Sequence, residues 1–372
     1  MKRTANRPEF QFPKDGVMLS WTAGENVDNN LKIKPLLTAP SGLKLELNGV
    51  PMTEESFCIY KCYITLDSFK NKLSVVNTET GDEICAIDVF FLRKGYKKYR
   101  FALDDNIWFL QNINENKDTF KSIFEDPYLN LLKSIHDRHN SKFHVNIYYE
   151  TPRHGGFNIS QMTDKFKSEF IANSDWLRFS FHANADKPSR PYLFATYEQA
   201  YFEMDRVNKE IIRFAGEECL SKTVMTLHWG DCSIETARAF RDLGVRAIIC
   251  EFLNLHTDDC TDLKLYCDEE QVSLLRKYGF LYDKETDLFL FRHNSGIQRK
   301  SPDKIYEVME AQRKFSPLYE IKDICLHEQY FYPEFKWYQD NYFEKLDTAA
   351  QWCDDNGYEP IFMDELFEFN SH

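Results

Sequence analysis

Acidic and imidazole side chains follow several apolar stretches of this sequence. The segment "YRFALDDNIWF", residues 99–109, places the adjacent carboxylates of Asp104 and Asp105 directly after an apolar run. Because side chains alternate between the two faces of a strand, we expect the strand to end near Leu103 and a turn to free both acids. Comparable positions, after later apolar runs or in the loops that follow them, are held by Glu150, His154, His182, Asp186, His228, Trp229, Glu251 and His327.

These residue types suit the binding of a divalent cation and the transfer of protons. One carboxylate of the pair, together with His182 and Asp186, could hold the cation by mixed oxygen and nitrogen ligation and leave positions open for water and substrate. The other carboxylate could deprotonate the water, whose pKa the cation lowers. A histidine from a different strand could protonate the leaving group.

Each of these residues also has an ordinary structural explanation. A single histidine at a strand end is usually held by structural contacts, and an aspartate before a helix is usually a cap. The convergence of several of them favours a functional rim, because neighbouring buried charges are costly unless a metal or a partner compensates them. In parallel α/β sheets, ligands bind at the carboxyl ends of the strands, where these side chains would meet.

The elements that would position these side chains alternate between strand and helix after residue 98. Apolar runs that predict strands occupy residues 100–103, 144–149, 177–182, 223–228, 246–250 and 321–326. Helix starts are indicated at Asp126-Pro127, Thr196 and Ser233. This alternation predicts an α/β fold with a parallel sheet, either open or closed into a barrel. Residues 252–300 are irregular, with a possible strand in "DLFLFRHN".

The first 95 residues follow a two-residue period that is typical of β-strands. The segment "LKLELNGV" alternates leucines with polar residues and then reaches the hairpin signal Asn48-Gly49. Short strands separated by turn residues predict a small all-β sandwich. We therefore expect two domains, an accessory sandwich over residues 1–95 and an α/β domain that carries the site over residues 96–372.

The composition excludes some classes of partner. The chain has 46 basic and 59 acidic residues, a net charge of −13, which argues against nucleic acid or an anionic membrane as the main partner. No window approaches the ~18 apolar residues of a membrane helix, and the N-terminus lacks the apolar core of a signal peptide. The ten cysteines form no CxxC pair. These features predict a reduced, cytoplasmic protein.

Three segments carry a family resemblance. Ala102-Leu103-Asp104-Asp105 resembles a Thr-Phe-Asp-Asp motif, and His182-Ala183-Asn184-Ala185-Asp186 resembles His-Ser/Thr-x-x-His with Asp in place of the second histidine. The pair Leu326-His327 within "ICLHEQ" resembles a Leu-x-His motif before a final helix. In this order the motifs are similar to those of the polysaccharide deacetylase superfamily, the NodB-homology domain. The resemblance covers residues 98–368, and "TLHWGDCS" stands where that family has Arg-x-Pro-Tyr-Gly, as in a divergent member.

The resemblance implies a fold, a cofactor and a role for each site residue. The fold would be a distorted (β/α)7-type barrel, with one divalent metal ion, zinc or else cobalt, nickel or manganese. Asp104 would be the catalytic base and His327 the general acid. The metal ligands would be Asp105, His182 and, by position, Asp186. The residues expected to contact the substrate are His228, Trp229, Glu150, His154 and Glu251.

Three functions are compatible with this reading. The first is a metal-dependent hydrolase that removes an N- or O-acyl group, most simply acetyl, from a carbohydrate, cutting a non-peptide carbon–nitrogen bond or an ester. The second is a metal-free glycosidase with paired carboxylates such as Asp105 and Glu251, which would stand about 5–10 Å apart. The third is a carbohydrate-binding or scaffold protein that keeps the barrel without catalysis. The residues do not predict an oligomeric state.

Overall fold

The structure is a computed structural model that describes residues 7–250, 265–293, 295–315 and 320–367. No helix within these ranges combines the length and the apolar character that a membrane crossing requires. Its secondary structure is mixed α/β, with strands predominating before residue 92 and strands alternating with helices after it.

Short strands occupy most of residues 9–91. Their bounds are β1 (Glu9–Phe12), β2 (Met18–Leu19), β3 (Glu25–Val27), β4 (Asn30–Ile33), β5 (Leu36–Thr38), β6 (Leu45–Leu47), β7 (Val50–Pro51), β8 (Thr53–Ser56), β9 (Ile59–Lys61), β10 (Ile64–Leu66), β11 (Lys70–Asn77) and β12 (Glu83–Phe91). They pair in the orders β1-β5-β9-β8, β10-β4-β3 and β2-β12-β11-β6-β7. The expected hairpin joins β6 to β7, where Asn48 and Gly49 have φ values of +49° and +79° and Leu47 pairs with Val50.

The remaining strands and the helices follow one another along the chain. The strands are β13 (Lys98–Asn106), β14 (Phe143–Tyr148), β15 (Glu150–Thr151), β16 (Phe157–Asn158), β17 (Leu177–Ala183), β18 (Val224–Thr226), β19 (Ala247–Cys250), β20 (Phe280–Asp283), β21 (Leu288–Arg292), β22 (Ser295–Gly296), β23 (Ile321–His327) and β24 (Glu359–Pro360). The helices are α1 (Trp108–Glu115), α2 (Pro127–His139), α3 (Lys167–Ala172), α4 (Pro191–Phe194), α5 (Tyr197–Phe214), α6 (Ile234–Asp242), α7 (Glu269–Tyr278), α8 (Pro302–Phe315) and α9 (Tyr342–Asp355).

The predicted helix starts are confirmed by their caps. Asp126 Oδ1 accepts a hydrogen bond from Leu129 N (2.9 Å) at the start of α2. The Thr196 and Ser233 hydroxyls cap α5 and α6 in the same way. Such side-chain acceptors replace the missing intrahelical partners of the first backbone N–H groups. The predicted strand in "DLFLFRHN" is present as β21.

The parallel strands form two sheets instead of one closed barrel. One sheet has the order β17-β14-β13-β23-β22, with β24 also paired to β13, and the other has the order β18-β19-β21-β20. Between β17 and the chain entering β18, the described pairing is a bridge from Phe179 to Leu220, with Ser221 N donating to Phe179 O at 2.8 Å. A continuous ladder therefore does not close the ring among the described strands. The expected α/β fold with parallel strands is confirmed, whereas the distorted (β/α)7-type barrel is not.

The strand that carries the two adjacent acids differs from the expected one. It does not end near Leu103 but continues to Asn106, with Asp104 paired to His327 of β23. Its register against β14 shifts between Leu103 and Asn106, and Asp105 has a φ of +60°. A β-bulge breaks the alternation of side chains, which a regular strand would impose. The bulge, and not a turn after the strand, thus changes the direction of the Asp105 side chain from the one that a regular strand would give it.

The N-terminal strands pack directly against the second parallel sheet. The Phe90 ring lies 4.9 Å from the Phe289 ring, and Tyr282 N donates to Gly16 O at 2.7 Å. Met18, Phe69, Phe90 and Leu92 belong to the same apolar cluster as Val224, Ala247, Ile249 and Phe289. The β-rich region and the α/β region therefore share buried apolar surface.

Candidate metal centre

Three buried ligand atoms converge at the carboxyl ends of the parallel strands. Asp105 lies at the end of β13 and His182 at the end of β17, while His228 begins the short 3-10 helix His228–Gly230 after β18. One carboxylate oxygen and one nitrogen from each imidazole all lie within 4.8 Å of one another. The three residues are 2–8% exposed, so only a small part of the group is in contact with solvent.

The carboxylate of Asp105 lies at the centre of this group. Its Oδ1 is 3.1 Å from His182 Nε2 and 3.2 Å from His228 Nδ1, and its Oδ2 accepts a 2.6 Å hydrogen bond from Gln329 Nε2. Burial alone would raise the pKa of Asp105. The positive field of His327 and the hydrogen bonds from His182 and His228 outweigh burial and hold the pKa well below its usual range. The group is therefore an anionic acceptor.

Both imidazoles are oriented by backbone carbonyls on their far sides. His182 Nδ1 donates to Thr226 O at 2.7 Å, and His228 Nε2 donates to Asp186 O at 3.2 Å. A ring nitrogen that donates in this way leaves the other nitrogen's lone pair for a metal. The remaining nitrogens, His182 Nε2 and His228 Nδ1, face each other at 3.3 Å beside Asp105. Without a cation these two nitrogens can carry the protons that Asp105 Oδ1 accepts, and a bound cation would displace those protons and use both lone pairs at the same point.

Tyr148 is a member of the group that the sequence did not indicate. Its hydroxyl donates to Asp105 Oδ1 and lies 3.1 Å from His228 Nδ1. Burial and the adjacent Asp105 charge raise the pKa of Tyr148 well above its usual value, so the phenol keeps its proton. In the sequence, a tyrosine in the apolar run of β14 resembles a core residue. However, His144, Asn146 and Tyr148 are every second residue of the strand, so they share one face. That period-two polar pattern was the available signal.

Asp104 has its own set of partners. Its Oδ1 accepts from Asn146 Nδ2 at 2.6 Å, and Cys325 Sγ donates to its Oδ2 at 3.3 Å. Ser180 Oγ in turn donates to Asn146 Oδ1 at 2.6 Å and fixes the amide. Asp104 is 6% exposed and is not part of the three-ligand group. The two adjacent acids therefore have different surroundings.

His327 reaches the centre from β23. Its Nε2 lies 3.9 Å from Asp105 Oδ2, and its side chain is 25% exposed. Its Nδ1 is buried with no hydrogen-bond partner among the described residues. The His327 ring is therefore close to the Asp105 carboxylate and is also partly exposed to solvent.

Asp186, expected as a third ligand, presents its backbone instead of its carboxylate. The side chain is 60% exposed and lies 3.6 Å from Lys187 Nζ, whereas the carbonyl oxygen accepts from His228. After β17 the loop turns the side chain towards solvent. The structure brings His228, not Asp186, together with Asp105 and His182.

The structure also describes three of the residues that were expected to contact the substrate. Trp229 is 39% exposed, with its ring 6.0 Å from the His228 ring. Glu150 is exposed and accepts from Asn184 Nδ2 at 3.0 Å. His154 lies 3.9 Å from Glu334 on the surface. Glu251 lies outside the described residues, so the alternative pair of Asp105 and Glu251 has no described geometry.

A cluster of buried polar residues contacts Thr226, whose carbonyl orients His182. Arg100 pairs with Asp323 and donates to Thr226 Oγ1 at 2.8 Å, and its NH1 is 2.6 Å from His144 Nδ1. Arg100, Asp323 and His144 are fully buried. Since the Thr226 carbonyl also orients His182, these residues connect the interior of the sheets to the Asp105, His182 and His228 group.

Comparison with known proteins adds structural likenesses at low identity. No family model matches the sequence, and no curated protein matches it. A CE4 family pseudoenzyme from Bacillus anthracis aligns at 11% identity over 73% of this chain and 65% of that one, with a TM-score of 0.35. A family 4 acetyl xylan esterase from Clostridium thermocellum, solved with a cobalt ion, aligns at 11% identity over 73% and 90%, with a TM-score of 0.37. A novel carbohydrate deacetylase aligns at 8% identity over 84% and 67%, with a TM-score of 0.41.

Solved carbohydrate deacetylases are thus among the proteins to which this structure is similar. The chain spans 65% of the length of the pseudoenzyme. What the centre can do depends on its own geometry.

Proposed function

We propose that this protein is a metal-dependent hydrolase that removes acyl groups from carbohydrates. The spacing of three ligand atoms is the main support. Asp105 Oδ1, His182 Nε2 and His228 Nδ1 are separated pairwise by 3.1, 3.2 and 3.3 Å. Ligand atoms about 2.1 Å from a tetrahedral zinc ion lie about 3.4 Å from one another. Three protein ligands, rather than four, are typical of catalytic zinc sites.

The donor set fits zinc best, and cobalt, nickel or manganese accept the same ligand types. A bound cation would supply Lewis acidity, which lowers the pKa of water and polarises an acyl carbonyl. Asp105, His182 and His228 would hold it. Gln329 would keep Asp105 oriented, and the carbonyls of Thr226 and Asp186 would keep the imidazoles oriented.

Asp104 and His327 would move the protons. Asp104 would accept a proton from the attacking water, since its two donors, an amide and a thiol, leave other carboxylate lone pairs available. His327 would protonate the leaving nitrogen or oxygen, because its partly exposed ring faces the rim beside Asp105. The two proton carriers come from β13 and β23, which are neighbouring strands.

The carbohydrate assignment is supported by the aromatic surroundings of the centre. Trp229 follows His228 directly and exposes 39% of its surface, so it offers a face to a sugar ring. Glu150 and His154 would contact the same substrate from the loop after β14. The finer architecture we infer is an open (β/α)7-type barrel over residues 96–372, with a sandwich over 1–95 as an accessory domain in a cytoplasmic protein.

One observation favours a second candidate, a non-catalytic carbohydrate-binding protein. Asp105 already accepts hydrogen bonds from Tyr148 and Gln329 in addition to its histidine contacts. A carboxylate satisfied in this way can serve as a structural anchor without a cation.

Metal content and acetate release test the proposal together. Purified protein, its His182→Ala and His228→Ala variants, and the control Asp186→Ala are analysed for bound zinc by mass spectrometry. We expect about one zinc per chain in the wild type and Asp186→Ala, and a loss in both histidine variants. The control separates the ligand set argued here from one that includes the Asp186 carboxylate.

Activity is then measured as acetate released from a panel of N- and O-acetylated sugars. We expect Asp104→Asn to keep its zinc and to lose at least about 100-fold in rate, as for a missing general base. Zinc retained in both histidine variants would refute the metal centre. Zinc without acetate from any sugar would refute the hydrolase and leave the binding protein.

A further inference from the structure

Two residues of β13 lie opposite one residue of β14 at the β-bulge. The pairs on either side of the bulge are Leu103 with Val145 and Asn106 with Ile147. Between these pairs, Asp104 and Asp105 of β13 lie opposite the single residue Asn146 of β14. The extra residue interrupts the backbone ladder, so side-chain hydrogen bonds can decide the shape of the chain at this point.

The side chain of Asn106 makes such hydrogen bonds. Its Nδ2 donates to Leu103 O at 2.5 Å, on its own strand before the two acids, and to Asn146 O at 3.1 Å, on the opposite strand. Its Oδ1 accepts from the Tyr128 hydroxyl at 3.1 Å. Asn106 is fully buried, and both protons of its amide group are used. The amide therefore bridges the two strands across the bulge.

Each end of this bridge leads to one of the two acids. Asn146, whose carbonyl accepts from Asn106, donates through its own amide to Asp104 Oδ1 at 2.6 Å. Asp105 lies between Leu103 and Asn106, which the other hydrogen bond joins, and it has a φ of +60°. Such a backbone conformation persists only where the surroundings hold it. The Asn106 amide thus holds the backbone on both sides of the residue that it must keep in place.

Few other side chains could replace Asn106 in this position. Asparagine combines two donor protons and an acceptor on a short side chain. Aspartate has the same size but offers acceptors only, and an apolar side chain would leave Leu103 O and Asn146 O without this donor. The residue type therefore matches the two carbonyls and the hydroxyl that surround it.

We propose that Asn106 is a positioning residue for both acids. Its amide holds the bulge in the shape that directs the Asp105 carboxylate towards the two histidines of the metal centre. It also holds Asn146, and through that residue the carboxylate of Asp104. The roles of the acids as metal ligand and base rest on the proposed function, whereas the direction of their side chains does not.

The direction of the Asp105 carboxylate can be tested without a metal. In chelator-treated protein, the imidazole protons that Asp105 accepts from His182 and His228 form charge-assisted hydrogen bonds, which are short and strong. Such protons resonate downfield of the backbone amides in proton NMR spectra, and Asp105→Asn assigns their signals by removing the charge. We expect Asn106→Ala to shift or lose the same signals, because the carboxylate is no longer directed towards the imidazoles.

Zinc affinity is the second measurement, made on each variant by competition with a chromophoric chelator. Residues that orient a metal ligand typically change metal affinity by about 10–100-fold when they are replaced. We therefore expect Asn106→Ala to bind zinc about 10–100-fold more weakly than the wild type.

Asn173→Ala is the matched control. The Asn173 amide also donates to a backbone carbonyl, Glu169 O at 2.8 Å, and accepts from an aromatic residue, Trp176 Nε1 at 3.0 Å. It precedes β17, whereas His182 lies at the carboxyl end of that strand. The control variant should therefore keep the downfield signals and the zinc affinity of the wild type.

Tyr128→Phe takes the place of Asn106→Ala if that variant does not fold. It keeps both donors of Asn106 but removes the phenol that fixes the amide, so it should change signals and affinity in the same direction by less. The proposal is overturned if the wild type lacks the downfield signals, if the folded variant keeps them or keeps its zinc affinity, or if Asn173→Ala changes both equally. A wild type that shows the signals but binds no zinc refutes the metal centre alone, and the signals then decide the role of Asn106.

Discussion

Asp105 combines an unfavourable backbone conformation with an unusually complete set of donors. A non-glycine residue at a φ of +60° has a backbone strain of about 1 kcal/mol or more. The same conformation turns its carboxylate towards His182, His228, Tyr148 and Gln329. Such strain persists only where the surroundings compensate it. The bulge that contains Asp105 is thus a feature of the candidate site itself.

Replacing Tyr148 by phenylalanine should reveal whether its hydroxyl competes with a cation for Asp105. The hydroxyl donates to Asp105 Oδ1, and a hydrogen bond to a charged group contributes about 1.5–3 kcal/mol. We expect chelator-treated Tyr148→Phe to melt at a lower temperature than the wild type. Zinc should then raise its Tm by more than it raises that of the wild type, because the cation replaces the lost donor.

The exposed Tyr338→Phe is the control for this measurement and should melt like the wild type in both conditions. A weaker zinc affinity in Tyr148→Phe would contradict the expectation and would instead make the phenol a fourth ligand. Differential scanning fluorimetry with a zinc titration distinguishes the two outcomes.

At the scale of elements, Glu328 links the end of β23 to the start of α1. Its two carboxylate oxygens accept from the backbone nitrogens of Ile107 at 2.7 Å, Trp108 at 3.0 Å and Phe109 at 2.7 Å. These are N–H groups that an α-helix leaves without partners at its start, and a carboxylate there is also favoured by the helix dipole. One side chain thereby holds together the two segments that carry Asp105 and His327.

Glu328→Ala should destabilise the protein by at least about 3 kcal/mol, because it leaves three buried N–H groups unsatisfied. Urea unfolding measures the loss, and hydrogen exchange should accelerate at the amides of residues 107–109. The control is Glu344→Ala, an exposed acid in the first turn of α9, which should change stability by less than about 1 kcal/mol. Unchanged exchange at residues 107–109 would show that Glu328 does not secure the helix start.

The sequence allowed the strand ends to be located but not the direction of each side chain. Asp104, Asp105, His182 and His327 follow apolar runs, and parallel strands bring such ends together. Asp186 lies in a loop and His228 begins a short 3-10 helix, so local backbone geometry decides which group turns inward, and no periodicity encodes it. Tyr148 was missed because an aromatic residue in an apolar run matches a core strand. The break between β17 and β18 could not be predicted, because pairing depends on contacts between distant segments.

Lys322, on the opposite face of β23 from Asp323, provides a test of how the helices cover the sheet. It is 1% exposed, its Nζ lies 3.5 Å from Met309 O of α8, and it lies 5.6 Å from the Trp352 ring of α9. Burial lowers the pKa of Lys322 to about 8. In the unfolded chain the lysine side chain has a pKa of about 10.4. The charged form therefore destabilises the folded protein fully below pH 8, and the penalty disappears as the pH rises above about 10.4.

Lys322→Met should consequently be more stable than the wild type at pH 7, by up to about 3 kcal/mol. The difference should shrink between pH 8 and pH 10.4. Urea unfolding at a series of pH values measures it, with the exposed Lys304→Met of α8 as the control that should show little change. A stability difference that grows with pH would contradict this account.

At the scale of the whole molecule, the β-rich region and the second parallel sheet are joined by buried aromatic contacts. The Phe90 ring lies 5.5 Å from Phe69, 4.9 Å from Phe289 and 5.0 Å from Tyr282. Aromatic pairs at these separations add stabilisation beyond the apolar area they bury. Regions that share such a cluster lose it together on unfolding, which couples their stabilities.

Phe90→Ala should therefore lower the stability of the whole molecule and not of the β-rich region alone. Truncating a buried phenylalanine costs about 3–5 kcal/mol, and Phe90 is 3% exposed. We expect calorimetry to record one unfolding transition for the wild type, shifted to lower temperature both in Phe90→Ala and in Phe289→Ala, its partner across the contact. Phe57→Ala removes a ring that is 62% exposed in the same region and should leave the transition in place. Two separate transitions, of which Phe90→Ala lowers only one, would mean that the shared cluster does not couple the regions, and that the centre at the parallel strands is stable without the N-terminal strands.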